Sequence, residues 1–258
     1  MLASGEEMTE TGTVADKLNK TITQVVIPFS IDIRIFKIAK STGVSYAALV
    51  FTLALCLTSC QNSKNAMTPV VIGTVTASEG FPNVVRLNQT YILDKQARIY
   101  EGDIVTTDSK SRLNIIMIDG SALSFGTSTK FVFHQYARRG INSRIDAKLA
   151  FTTGTFRART SGADQLVEPK FEIRTPLAVI DARHADFWGG FLFSDKDLDV
   201  TLIKGDSIDV ANSHGSVEIT TAEYGTTIQA GSAPQSENRW SQRKLDQALK
   251  STLFLGLD

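Results

Sequence analysis

Between Val70 and Ala233 apolar and polar residues alternate in short runs, and turn residues interrupt the runs repeatedly. The succession reads VVIGTVTASEG, NVVRLNQTYIL, ARIYEGDIVTT, RLNIIMIDGSALSFG, KFVFHQYARR, AKLAFTTGTFRART, KFEIRTP, LAVIDARHADFWGGFLFS, LDVTLIKGDSIDVA and SVEITTAEYGTTIQAG. A period of two sends successive side chains to opposite faces of a strand. Strand signals that return roughly every 8–12 residues predict an all-β sandwich, barrel or roll. No amphipathic helical pattern competes within this stretch. The sharpest local signal is Asp119-Gly120, with Ile116 and Ile118 before it and Leu123 and Phe125 after it. Asp-Gly between apolar runs predicts a hairpin, because a two-residue turn needs positive φ and glycine has no Cβ to obstruct it. Asp119, Gly120 and Gly205 are assigned to structural turns, and Gly154 to a further hairpin. Lys204-Gly205-Asp206 echoes Glu101-Gly102-Asp103, a weak internal repeat built on a generic turn pair.

The pattern changes after Ala233. Trp240, Leu245, Leu249 and Leu253 fall at near-helical spacing. They predict a single C-terminal helix within residues 234–258, capped by Ser236 or Asn238 and packed on the sheet. A free amphipathic helix that meets a partner is the alternative.

The chain before Val70 is of another kind. Lys37 and Lys40 precede YAALVFTLALCL, an uncharged run of 12 residues that stops at Thr58-Ser59-Cys60. A membrane-spanning helix needs about 20 residues, whereas roughly 10–14 suit a signal peptide or a core helix. Basic residues followed by a short greasy run fit a secretory signal. Leu57-Thr58-Ser59-Cys60 resembles a bacterial lipobox, in which the cysteine thiol is acylated and becomes the new N-terminus. The polar QNSKNAMTP behind it reads as a tether. Gln61 stands where an aspartate would suggest retention at the inner membrane. The resemblance therefore implies an outer-membrane lipoprotein facing the periplasm, held by acyl chains on Cys60. A single-pass anchor in the inner membrane and a core helix that happens to end in cysteine are the alternatives. The expected organisation is an extension at 1–43, a signal helix and lipobox at 44–59, a lipidated tether at 60–69, a β domain at 70–233 and the helix region at 234–258. The extension lies ahead of the true start, or is a cytoplasmic tail.

Composition excludes several function classes. Lys plus Arg and Asp plus Glu number 27 each, so no basic field favours nucleic acid, and no nucleic-acid partner is expected. The two cysteines are Cys56 and Cys60, which leaves no thiol in the β domain for a disulfide or thiolate metal site.

EGDIVTT, SRLNIIMIDGSALSFGTSTKFVF, LAFTTGTFRA, FEIRTPLAVID, DVTLIKGDSIDV and TTIQAG occur in that order. Together they resemble a FecR-type domain across roughly Val71 to Gly231. Asp119-Gly120-Ser121 and Thr175-Pro176 carry most of the specificity. The family usually reads Arg-Gly-Thr before an aromatic; here the residues are Arg183-His184-Ala185-Asp186-Phe187-Trp188. If the glycine position has positive φ, His184 is strained there. The expected fold is thus all-β, with stacked short antiparallel strands and hairpins in a sandwich- or roll-like FecR-type domain, plus one C-terminal helix and the N-terminal signal helix. The family's namesake is an inner-membrane regulator with a cytoplasmic sigma-factor-binding segment, one span and a periplasmic sensory part. The resemblance reaches only the last part and implies no reaction.

No catalytic, metal or cofactor site is expected. His134, His184 and His214 lie in separate segments without ligand spacing. No GxSxG elbow and no phosphate loop is present. Asp181 and Asp186 flank Arg183, but a carboxylate beside an arginine stays ionised, which disfavours a general acid. The candidate binding residues are Arg183, Asp186, Phe187 and Trp188. Trp188, beside Gly189 and Gly190, is either a buried edge residue or an open platform for a sugar or partner. Arg138, Arg139, Arg144 and Lys148 form a basic loop, read as solvated rather than as a site for an acidic partner or lipid headgroup. Three readings follow. The leading one is an envelope lipoprotein that senses or scaffolds by binding an envelope protein. The others are an inner-membrane regulator of a sigma factor and a glycan-binding or carbohydrate-active protein.

Overall fold

The computed structural model describes residues 70–139, 144–160 and 170–254. Cys60, the signal segment and the tether lie outside these residues. Among the described residues no helix is long and apolar enough to cross a membrane.

The alternating runs form strands β1 (Val71–Glu79), β2 (Asn83–Arg86), β3 (Gln89–Ile92), β4 (Arg98–Tyr100), β5 (Ile104–Thr106), β6 (Arg112–Met117), β7 (Ala122–Phe125) and β8 (Lys130–Arg139). They continue as β9 (Arg144–Thr153), β10 (Thr155–Arg159), β11 (Lys170–Arg174), β12 (Val179–Gly190), β13 (Leu198–Asn212), β14 (Gly215–Ile219), β15 (Tyr224–Ile228) and β16 (Asn238–Arg239). One helix, α1 (Gln242–Thr252), follows. The all-β expectation holds, and the pairing is antiparallel except between β9 and β11, which run parallel.

The sheet divides at β12. One edge of β12 pairs with β13 along its whole length. The other edge is shared, with Val179–Ala182 on β11 and Asp186–Gly190 on β10. One branch then runs β11-β9-β8-β5-β2-β3 and the other β10-β7-β6-β1-β4. The branches meet through phenylalanine rings. Phe131 of β8 lies 4.7 Å from Phe125 of β7, and Phe151 of β9 lies 4.7 Å from Phe156 of β10. Tilted and edge-on contacts of this kind contribute about 0.5–1.5 kcal/mol each beyond area burial. This phenylalanine layer is why inward positions on opposite branches read alike in sequence.

The residues that carry the family resemblance hold corners of this roll. Asp103 is fully buried and receives Arg86 Nε at 2.7 Å, Arg86 Nη2 at 2.6 Å and the Tyr100 amide at 2.9 Å. Those hydrogen bonds raise the Arg86 guanidinium above its already high ordinary range, and Arg86 stacks 4.1 Å from the Tyr100 ring. At the second corner Asp119 accepts the Ser121 amide at 3.0 Å, the Ser121 hydroxyl at 2.8 Å and the Tyr136 hydroxyl at 2.8 Å. At the third, the Thr175 hydroxyl accepts the amides of Leu177 at 3.2 Å and Ala178 at 2.9 Å, closing the turn around Pro176. Such side-chain-to-backbone bonds are the usual logic of Asx and Ser/Thr turns.

Five local expectations are corrected. The loop at Asp119-Gly120 has three residues, since the Met117 amide donates to Ser121 O at 2.8 Å. Leu113, Ile115 and Met117 face inward while Ile116 and Ile118 face out. Gly154 is not a hairpin turn: β9 pairs with β8 and β11, and β10 with β7 and β12. The chain crosses there between branches, and Gly154, at φ +87°, would place a Cβ 2.4 Å from the Thr129 hydroxyl. Gly205 lies inside β13 rather than at a turn. Its φ is +122°, and a Cβ there would meet His184 O at 2.1 Å, so the position is a kink where two backbones touch. Asp206 is exposed whereas Asp103 is buried, so the Gly-Asp echo is not a structural repeat. Finally, α1 is capped by Ser241, whose side chain accepts the Lys244 amide, rather than by Ser236 or Asn238.

His184 has φ +39°. The glycine position of the family pattern is left-handed here, and a histidine occupies it at a cost of order 1–3 kcal/mol. It faces the Gly205 kink across the β12–β13 pair, and its Nδ1 lies 3.0 Å from Asp206 Oδ2.

Candidate functional site

The sequence-derived candidates sit together on β12 but do not form an open site. Phe187 is fully buried in the main core, 5.9 Å from Phe156 and 6.5 Å from Phe171. Trp188, on the opposite face, is also fully buried. It lies 5.9 Å from Trp240 and 6.0 Å from Phe193, and its indole N–H donates to Ser251 Oγ at 3.0 Å. The helix covers the face that a sugar platform would need. Asp186 accepts a two-point contact from Arg157, at 2.8 and 2.7 Å, which raises the Arg157 guanidinium above its ordinary range. Arg183 is exposed and reaches Asp209 at 3.2 Å. These residues hold β10, β12, β13 and α1 together. His134, His184 and His214 stand on β8, on β12 and in the β13–β14 turn. Among the described residues no group of three or more His, Cys, Asp or Glu is placed to hold a metal ion.

Helix α1 is docked by charge as well as by apolar contact. Lys244 Nζ donates to buried Asp199 at 2.7 Å, and Thr227 donates to the same oxygen at 2.6 Å. The ammonium also stands 4.1 Å from the Trp240 ring and 5.0 Å from Phe193, a half-buried cation–π arrangement worth about 1 kcal/mol. Leu245, Ala248 and Thr252 complete the buried stripe. Leu249 is half-buried and Leu253 is exposed.

Docking the helix creates a cleft of about 900 Å³ at one end of the roll. Its walls come from six places distant in sequence: the start of β6 at Arg112, the β7–β8 turn, the Gly154 crossing, the Pro176 turn, the β12–β13 loop and the last turn of α1. Phe191, Leu192 and Phe193 give an apolar wall, and Thr152, Thr153 and Ser128 a hydroxyl-bearing floor. Arg112, Lys196 and Lys250 line it with Asp195 as the one carboxylate. Two buried polar atoms in its lining, Arg112 Nε and Thr155 Oγ1, have no hydrogen-bond partner. Its size falls within the usual range for ligand sites, about 300–1,000 Å³. Sequence reading missed this site. The only local signal is FLFSDKD, an apolar triplet followed by charges in a loop; the rest of the lining converges only through the fold.

Residues 103–207 match the family described as FecR protein, a match that opens on Asp103 and closes just past the Gly205 kink. Two crystal structures of a proposed anti-sigma factor from Parabacteroides distasonis ATCC 8503, at 1.65 and 2.50 Å resolution, are similar to part of this chain. They are 11% and 10% identical, each with a TM-score of 0.43, over 55% of this chain. This chain spans 62% of theirs. No curated protein matches.

Proposed function

We propose, from the FecR domain that the chain carries at residues 103–207, that this protein is an envelope-attached sensor or scaffold that acts by binding rather than by chemistry. The family match is the observation that carries the reading. The motif residues support it in a specific way: Asp103, Asp119 and Thr175 are all engaged in holding corners, so they maintain a rigid body instead of supplying reactive groups. Anchoring is assigned to acyl chains on Cys60, at the outer membrane facing the periplasm, with residues 61–69 as the tether. Burial of acyl methylenes contributes about 0.8 kcal/mol each, so two or more chains give stable attachment. The partner is an envelope protein presented to the rigid end of the domain.

The test is the mass of the mature N-terminus with and without globomycin, together with Cys60→Ser. The expected result is a mature chain beginning at an acylated Cys60, and a Cys60→Ser chain that stays unprocessed. Unchanged processing, mass and fractionation in Cys60→Ser would refute the anchor. An intact N-terminus that retains residues 1–43 would favour the single-pass regulator instead.

A further inference from the structure

We infer that the cleft between α1 and the β12–β13 loop binds an amphipathic organic anion: one acidic head group on an apolar body. The inference extends the binding role proposed above and does not depend on the anchor. Three observations converge on it.

The first is charge. Arg112, Lys196 and Lys250 face one carboxylate, Asp195, within the lining. Lys196 and Lys250 have no carboxylate partner among the described residues, and the Arg112 contact to Glu79 is a long 3.3 Å. A cationic rim of this composition favours an anion over a cation or a neutral sugar.

The second is unmet hydrogen bonding. Thr155 is 4% exposed and its hydroxyl has no partner; Arg112 is half-buried, and its Nε also lacks a partner. Buried polar groups nearly always find partners, and an orphan calls for an explanation. Both atoms are closed to solvent, so an oxyanion accepts from them only once the lining side chains shift. The third is the apolar wall. Leu192 is 41% and Phe193 38% exposed although both belong to a loop packed on the core. An aliphatic or aromatic body laid along Phe191, Leu192 and Phe193 removes that surface from water.

The site carries its own reporter. The chain has two tryptophans, and Phe193, which lines the cleft, lies 6.0 Å from each of them. Occupancy therefore perturbs intrinsic fluorescence. The acidic head can come from a soluble carboxylate or from a membrane phospholipid, and two arms separate these sources. The full chain carrying Cys60→Ser is titrated with decanoate, with decyltrimethylammonium of the same chain length, and with phosphatidylglycerol vesicles. A saturable response to decanoate identifies a soluble anion; a response to vesicles alone identifies a lipid headgroup. In either case decyltrimethylammonium gives no saturable response. Lys196→Glu/Lys250→Glu weakens binding tenfold or more with an unchanged unfolding midpoint, and Leu192→Ser weakens it independently. Absence of any saturable response, an equal response to the cationic amphiphile, or indifference to the double charge reversal overturns the inference. None of these outcomes bears on Cys60 processing, so failure here is distinct from failure of the anchor.

Discussion

Replacing Asp103 with alanine tests whether the Gly-Asp corner holds the roll. The substitution removes three acceptor contacts at once: two from Arg86 and one from the Tyr100 amide. Arg86 then keeps a single hydrogen bond, to Arg98 O at 3.1 Å, and its stacking on Tyr100. Breaking one side of a buried ion pair costs about 3–5 kcal/mol. The Arg86 side chain is 22% exposed, so water partly rehydrates it, and the lower end applies. The orphaned amide keeps the sum near 3 kcal/mol rather than below it. Arg86→Met costs at least as much, because it strands a carboxylate with no exposure at all. The double variant loses much less than the sum of the two, giving a coupling of about 2 kcal/mol or more. Urea unfolding followed by tryptophan fluorescence reads this directly. With a slope of about 1–3 kcal/mol per molar, the midpoint of Asp103→Ala falls by roughly 1–3 M. A loss under about 1 kcal/mol, or additive single variants, would refute the corner as a coupled unit.

Gly205→Ala places a Cβ 2.1 Å from His184 O at a left-handed φ, and is expected to destabilise by about 2–4 kcal/mol in the same urea assay. His184→Gly acts oppositely: relief of strain exceeds the entropy cost of glycine, for a gain of about 1 kcal/mol, and a clear loss would contradict the strain argument. Burial, reinforced by the charge of Asp119, pushes the Tyr136 hydroxyl well above the usual tyrosine range. An unfolded tyrosine loses its proton near pH 10 while folded Tyr136 keeps it, so this contribution is complete below about pH 10 and declines above it. Tyr136→Phe is expected to flatten stability against pH above that point; ionisation of Tyr136 inside the folded protein near pH 10 would refute this. Trp188→Ala removes the ring that α1 covers and the bond to Ser251, costing about 3–5 kcal/mol and exposing the last turns of the helix to hydrogen exchange.

Alternation and turn residues were sufficient to read an all-β body with one terminal helix, because strand period and turn chemistry are local properties. The motif residues were legible for the same reason: Asp119 and Thr175 bond to backbone within three positions of themselves. His184 was legible as a strain site because one expected glycine was missing. What the sequence could not reveal is which strand lies beside which. Gly154 looks like a hairpin turn, yet it carries the chain between branches, since inward-facing phenylalanines are equally apolar on either branch. Trp188 beside two glycines reads equally well as buried or open, and only the docking of α1 decides the matter. The cleft is wholly a tertiary product. Its walls come from segments between Arg112 and Ser251, and local sequence carries no record of which loops the fold brings to the same end.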